Sequence, residues 1–238
     1  MHPSLLELVS SLKTRIQWEQ KRGDTFPLKT LSVLSPSSSS CSFPQSTQAL
    51  NQLSQEVASC QKCPLGSTRI QTVFGVGSPL AKVMFVGEGP GYEEDRQGEP
   101  FVGKAGKLLD NILTSIGLSR KTVYIANIVK CHPMTDPSHP EARGNDRPPT
   151  GEEIAACKSY LDRQIELIRP KVIVTLGASA SKTLLSTSLG ITSLRGKWYT
   201  YGTAKLLPTY HPAALLRDPN LKKDVWKDMK SLKKELEN

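Results

Sequence analysis

The 238-residue sequence predicts an α/β fold with a mostly parallel sheet. Three observations predict it. Two apolar runs, KVMFV (82–86) and KVIVTL (171–176), lack alternation, and each ends in glycine. Such runs are strands buried on both faces. Each hands on to a helical pattern, and strands alternating with helices give a mostly parallel sheet.

The elements follow in order. Residues 4–22 carry Leu5, Leu8, Val9, Leu12 and Ile16 at helical spacing, with Ser4 as N-cap. Residues 1–34 are read as an N-terminal helical extension that docks. Residues 35–47 (SPSSSSCSFPQST) form a Ser/Pro-rich linker in which Cys41 is incidental. The compact domain spans 48–238 and opens near Gln48 with the helix ALNQLSQEVASC. Cys60-Gln-Lys-Cys63-Pro64 closes that helix. A CxxC pair signals metal, cluster or redox chemistry. A thioredoxin-type pair would open a helix after a strand, whereas this one follows a helix.

The stretch from Lys82 to Lys107 organises the rest. After the strand comes Gly87-Glu88-Gly89-Pro90-Gly91, a tight loop whose amides can approach a ligand closely. Glu93, Glu94, Asp95 and Glu99 make the loop acidic. Pro100-Phe101-Val102-Gly103 leads to a helix with Leu108, Leu109, Ile112, Leu113 and Ile116 on one face. Ligands of open α/β sheets bind outside the carboxyl ends of such strands. A dinucleotide fingerprint does not fit, because the third glycine is misplaced and Pro90 removes an amide. No Walker GKS or GKT follows.

TVYIANIVK reads as a strand before Cys131, and HPMTDPSHPEARGNDRPPT as a long surface loop. Cys157 sits in the helix GEEIAACKSYLDRQIELI. A helix over Ala178–Leu185 follows Gly177. Lys205–Tyr210 is the last strand, His211–Arg217 (HPAALLR) leaves it, and a Lys-rich amphipathic helix ends the chain. With Cys131 and Cys157, the CxxC pair makes four thiolates, able to hold zinc or an iron–sulfur cluster.

A formal net charge of +9 and a pI near 9.3 point to a polyanionic partner. No apolar run is long enough to span a bilayer, and no signal-peptide pattern is present. A cytoplasmic location without membrane contact is expected, with its five cysteines not in disulfides.

These residues resemble a family, the iron–sulfur (family 4) uracil-DNA glycosylases. The match is Gly87-Glu88-Gly89-Pro90-Gly91 with Glu94-Asp95, Gly98-Glu99-Pro100-Phe101-Val102-Gly103, Asn127 in IANIVKC, the four cysteines, and Thr209-Tyr210-His211-Pro212-Ala213. It covers about residues 50–236. It implies a three-layer αβα sandwich of the uracil-DNA glycosylase type, a [4Fe–4S] cluster on Cys60, Cys63, Cys131 and Cys157, and excision of uracil by a monomer from single- or double-stranded DNA. One departure stands out. The 25 residues between Cys131 and Cys157 exceed the family's usual spacing, which places an insertion within His132–Thr150.

The resemblance also assigns roles. A base inside a duplex must be flipped out to be reached, and Phe101 would stack on it. Asn127 offers a donor and an acceptor for uracil O4 and N3–H. His211 and the amides around Glu88 and Gly89 would stabilise charge developing on O2. A carboxylate must serve the sugar cation and the water: Glu94 first, then Glu88, then Asp95. Leu215, Leu216 and Arg217 resemble the loop that fills the hole left by the base.

The alternative function is a non-catalytic iron–sulfur or zinc DNA-binding module related to phage polymerase-associated domains. Intact Glu94, Phe101, Asn127 and His211 argue against it. A covalent uracil-trapping relative would carry Lys-Arg-Arg-Ile-His in its inserted loop; this insertion has His132 and His139 without that motif. A small-molecule α/β enzyme leaves the cysteines unexplained.

Overall fold

The computed structural model describes residues 43–237, with side chains from Ser46. The helical extension, most of the linker and Cys41 lie outside the described residues.

The first described helix, α1, is Phe43–Ala58, so it starts five residues ahead of Gln48. Pro44 is tolerated in its first turn, where no intrahelical N–H bond is lost. A four-residue turn of helix, α2 (Leu65–Thr68), follows the CxxC pair. Then come β1 (Val76–Gly77), β2 (Val83–Gly87), α3 (Tyr92–Gln97), α4 (Lys104–Ser115) and β3 (Tyr124–Asn127). The second half runs α5 (Gly151–Ile168), β4 (Val172–Leu176), α6 (Ala178–Leu185), α7 (Ile191–Leu194), β5 (Tyr199–Tyr201), β6 (Ala204–Thr209), α8 (Pro212–Arg217) and α9 (Lys222–Glu237).

The sheet order is β1-β3-β2-β4-β6-β5. The four central strands are parallel, and the two edge strands run antiparallel to their neighbours. Strand side chains alternate between two cores. Met84, Val86, Ala126, Ile173 and Leu206 pack with Leu53 and Val57 of α1, Leu161 of α5 and Leu184 of α6. Val83, Phe85, Ile125, Val174 and Leu207 pack with Leu109 and Leu113 of α4, Leu215 of α8 and Met229 of α9. Helices therefore cover both faces, giving the expected three-layer αβα sandwich.

Two local readings change. The acidic stretch after Gly91 is a helix, α3, whose carboxylates sit in its first turn, where the N-terminal dipole favours them. HPAALLR is also helical, capped by His211 with Pro212 in its first turn.

The chain leaves β2 toward β3 on one side and continues at β4 on the other. That reversal opens a crevice at the carboxyl ends of the strands.

Candidate active site and cysteine crevice

The crevice is a cavity of about 600 Å³ lined by Glu88, Gly89, Glu94, Phe101, Asn127 and His211, among others. Four of these come from the carboxyl end of a strand or the loop after it, while Glu94 lies in α3 and Phe101 between α3 and α4. Asn127 ends β3, Glu88 and Gly89 follow β2, and His211 follows β6.

Asn127 is 1% exposed, and its Oδ1 has no hydrogen-bond partner. A buried acceptor left unpaired is costly, so this oxygen is a place for a ligand's N–H. Gly87 makes the arrangement fit, since a Cβ there would lie 2.3 Å from Asn127 Oδ1 and 2.6 Å from the Phe101 ring. Phe101 is buried and holds a left-handed φ of 57°. Arg120 fixes it: Nη1 donates to the Pro100 carbonyl at 2.9 Å, Nη2 donates to the Phe101 carbonyl, and Nε pairs with Asp110 at 2.7 Å.

The His211 ring lies 5.5 Å from the Phe101 ring, tilted by 34°. Its Nδ1 accepts from the Ala213 amide at 3.1 Å, which leaves the ring proton on Nε2. Burial, aided by the Arg217 charge, pushes its pKa down to about 4. The imidazole is therefore a neutral donor at pH 7.

The carboxylates differ in what holds them. Glu94 Oε1 accepts from the amides of Val102 and Gly103 at 2.9 and 3.0 Å, and Oε2 from Gly91 at 3.2 Å. Its charge is thereby fixed in place at the pocket wall. Glu88 is half-buried; burial raises its pKa, opposed by a hydrogen bond with Ser179. Asp95 is 1% exposed and accepts from the amides of Ile70 and Gln71. It does not line the cavity, so the third-choice carboxylate is an anchor for the chain after α2.

A carboxylate that the sequence did not signal, Asp146, does line the cavity. It accepts from the Tyr92 amide at 3.1 Å and is 2.6 Å from His132 Nε2. His132 is fully buried, and its Nδ1 faces Asp95 Oδ2 at 3.6 Å. Burial pulls its pKa down, but the carboxylates of Asp146 and Asp95 outweigh that and hold it at about 9. The loop between Cys131 and α5 is thus folded. Met134 bridges to Asp146, and Arg147 forms a two-pronged ion pair with Glu153 at the start of α5.

The α8 helix corrects one assignment. Leu215 is 2% exposed and belongs to the core, whereas Leu216 is 49% exposed. Of the apolar pair, only Leu216 faces outward, beside exposed Arg217.

Cys60, Cys63, Cys131 and Cys157 line a second crevice with Arg69, Lys62 and Lys130. All four are free thiols. Arg69 Nη1 donates to Cys131 Sγ at 3.3 Å, and the Lys62 amide to Cys60 Sγ at 3.5 Å. Burial pushes the Cys131 thiol up to about 11, with Arg69 opposing. Among the described residues, no three His, Cys, Asp or Glu side chains gather tightly enough for a single metal ion.

The family model described as the uracil DNA glycosylase superfamily matches residues 74–230. The chain is 45% identical over 195 residues to a type-4 uracil-DNA glycosylase of Sulfurisphaera tokodaii, covering 78% of this chain and 84% of that protein. It is 42% identical over 193 residues to the type-4 uracil-DNA glycosylase of Archaeoglobus fulgidus, covering 78% and 92%. A DNA polymerase of Bacillus phage SP01 is 35% identical over 164 residues, but only 17% of that polymerase is covered.

Proposed function

This chain belongs to the uracil DNA glycosylase superfamily, and from that premise we infer that it excises uracil from DNA in base-excision repair. Water hydrolyses the bond between uracil N1 and the sugar C1′, leaving an abasic site. The observation that carries the pocket reading is the buried, unpartnered Oδ1 of Asn127 beside the Phe101 ring. It complements the N3–H of a flipped uracil, and cytosine has no hydrogen at N3.

The roles we propose follow from what holds each side chain. Phe101, clamped through its carbonyl, stacks on the base. His211 donates Nε2–H to O2 as the bond's electron pair moves onto the ring. A neutral donor suits this step, since it lowers the cost of the oxyanion without first losing a proton. Glu94, held by three amides, is a fixed anion for the sugar cation. Glu88, whose burial raises its pKa and so the basicity of its carboxylate, accepts in that ionised form the proton of the attacking water. Leu216 and Arg217 contact the DNA beside the flipped nucleotide. Among the described residues, no helix is long and apolar enough to cross a membrane.

The four cysteines are proposed to hold a [4Fe–4S] cluster. The donor set fits. Four sulfurs line one crevice, and N–H donors from Arg69 and Lys62 suit thiolates. Such a cluster would tie α1 to α5, since Cys60 and Cys63 follow α1 and Cys157 lies in α5.

Incubation with a uracil-containing oligonucleotide, followed by alkali, tests the activity. Strand cleavage at uracil alone is expected, and an intact strand would refute the reading.

A further inference from the structure

We propose that Lys130 is the buried counter-charge of the cysteine-held cluster, an inference that rests on the cluster reading above. Lys130 is fully buried. Its ammonium donates to the Asn127 carbonyl at 2.7 Å and to Gln164 Oε1 at 2.6 Å. Both acceptors are neutral. Gln164 is itself used up, since Nε2 donates to the Phe74 carbonyl at 2.9 Å and reaches Tyr124 Oη at 3.2 Å. Among the described residues, no carboxylate forms an ion pair with Lys130.

A buried cation persists when it is paired, and two neutral acceptors do not pair it. Lys130 precedes Cys131 in the chain and lines the crevice together with Cys131, Cys157 and the CxxC pair. Four thiolates on an iron–sulfur core carry net negative charge, which is the charge this site lacks. A fixed cation beside a cluster favours its reduced form and raises its potential. Lys130 is thus a positioning residue, acting on the cluster while holding the carbonyl of the base-reading Asn127.

The test uses the full chain, purified anaerobically. Iron and sulfide content of the wild type comes first; a wild type lacking both overturns the cluster reading and this inference with it. Film voltammetry then compares variants. Lys130→Gln, which keeps hydrogen-bonding capacity, and Lys130→Met should each lower the reduction potential. The expected shift is at least a tenfold change in the reduction equilibrium, about 59 mV for a one-electron couple. Lys130→Arg should restore the wild-type value. A purely structural lysine would cost stability and leave the potential alone. A clustered Lys130→Gln or Lys130→Met at wild-type potential therefore overturns this inference and spares the cluster. If neither neutral variant folds, Lys130→Arg decides: with a cluster it supports the charge, without one it overturns it.

Discussion

The base pocket and the cysteine crevice lie at the two ends of one short segment, Asn127 to Cys131, yet they are built on opposite terms. The pocket is complete before any ligand arrives. Its carboxylate Glu94 is held by three backbone amides, the backbone of Phe101 by Arg120, and its imidazole by a helix cap. The crevice holds four thiols, two of them pushed toward the protonated form by burial, beside a buried lysine with neutral partners only. The pocket is preorganised by backbone; the crevice is organised for the group it would hold. A backbone-built site should lose function one side chain at a time, while a site built round a bound group should fail as a unit.

The largest expected effect falls on the crevice. Cys157→Ala should abolish the visible absorbance of the anaerobically purified protein and lower its melting temperature. A pocket variant such as His211→Ala should leave the absorbance per polypeptide unchanged. An unbleached Cys157→Ala protein would break the contrast.

Next come the pocket's charged and donor groups. Glu94→Ala and His211→Ala should each slow single-turnover excision by about 10²–10³-fold, the scale of losing one oxyanion or acid–base group. Affinity for uracil-containing DNA should stay near wild type. Asn127→Ala should slow excision and also narrow the uracil-to-cytosine rate ratio by at least about tenfold, since its contacts are to the base edge. A ratio unchanged in that variant would remove Asn127 from base reading.

Smaller effects separate the two leucines of α8. Leu215→Ala should cost about 2–5 kcal/mol in urea unfolding, as for a buried leucine. Leu216→Ala should leave stability within about 0.5 kcal/mol and weaken binding to duplex DNA only several-fold. The smallest effect is on pH. His211 stays neutral in the fold to about pH 4, whereas an unfolded histidine takes up a proton near pH 6.5. The unfolded chain thus binds the extra proton first, and this residue lowers stability as pH falls from about 6.5 toward 4, with no such effect above. In His211→Gln that part of the stability profile should flatten, as urea titrations at pH 7 and pH 5 would register.

Much of the pocket was legible because its residues sit at glycine and proline punctuation following apolar runs. Phe101, Asn127 and His211 all line the one cavity. The edge strands Val76–Gly77 and Tyr199–Tyr201 were not, because two or three residues carry no period. Leu215 and Leu216 could not be told apart, since adjacent helical positions point about 100° apart and an apolar pair does not say which faces the core. Asp146 and His132 escaped for another reason. They stand fourteen positions apart, and only the folded loop between them brings them together, so no local pattern marks the pair.

The loop that carries His132, Asp146 and Arg147 is anchored where it meets the domain. Its two ends are pinned, by His132 between Asp95 and Asp146 and by Arg147 on Glu153. Between them, Thr135–His139 and Glu141–Gly144 are exposed, and none of these residues lines the cavity. This is the stretch of the domain where chain length can be changed while the walls stay put. A tag, a fluorophore or a tether grafted at Ser138 would ride on the exposed loop, clear of the residues that line the cavity, making the loop a handle on the domain.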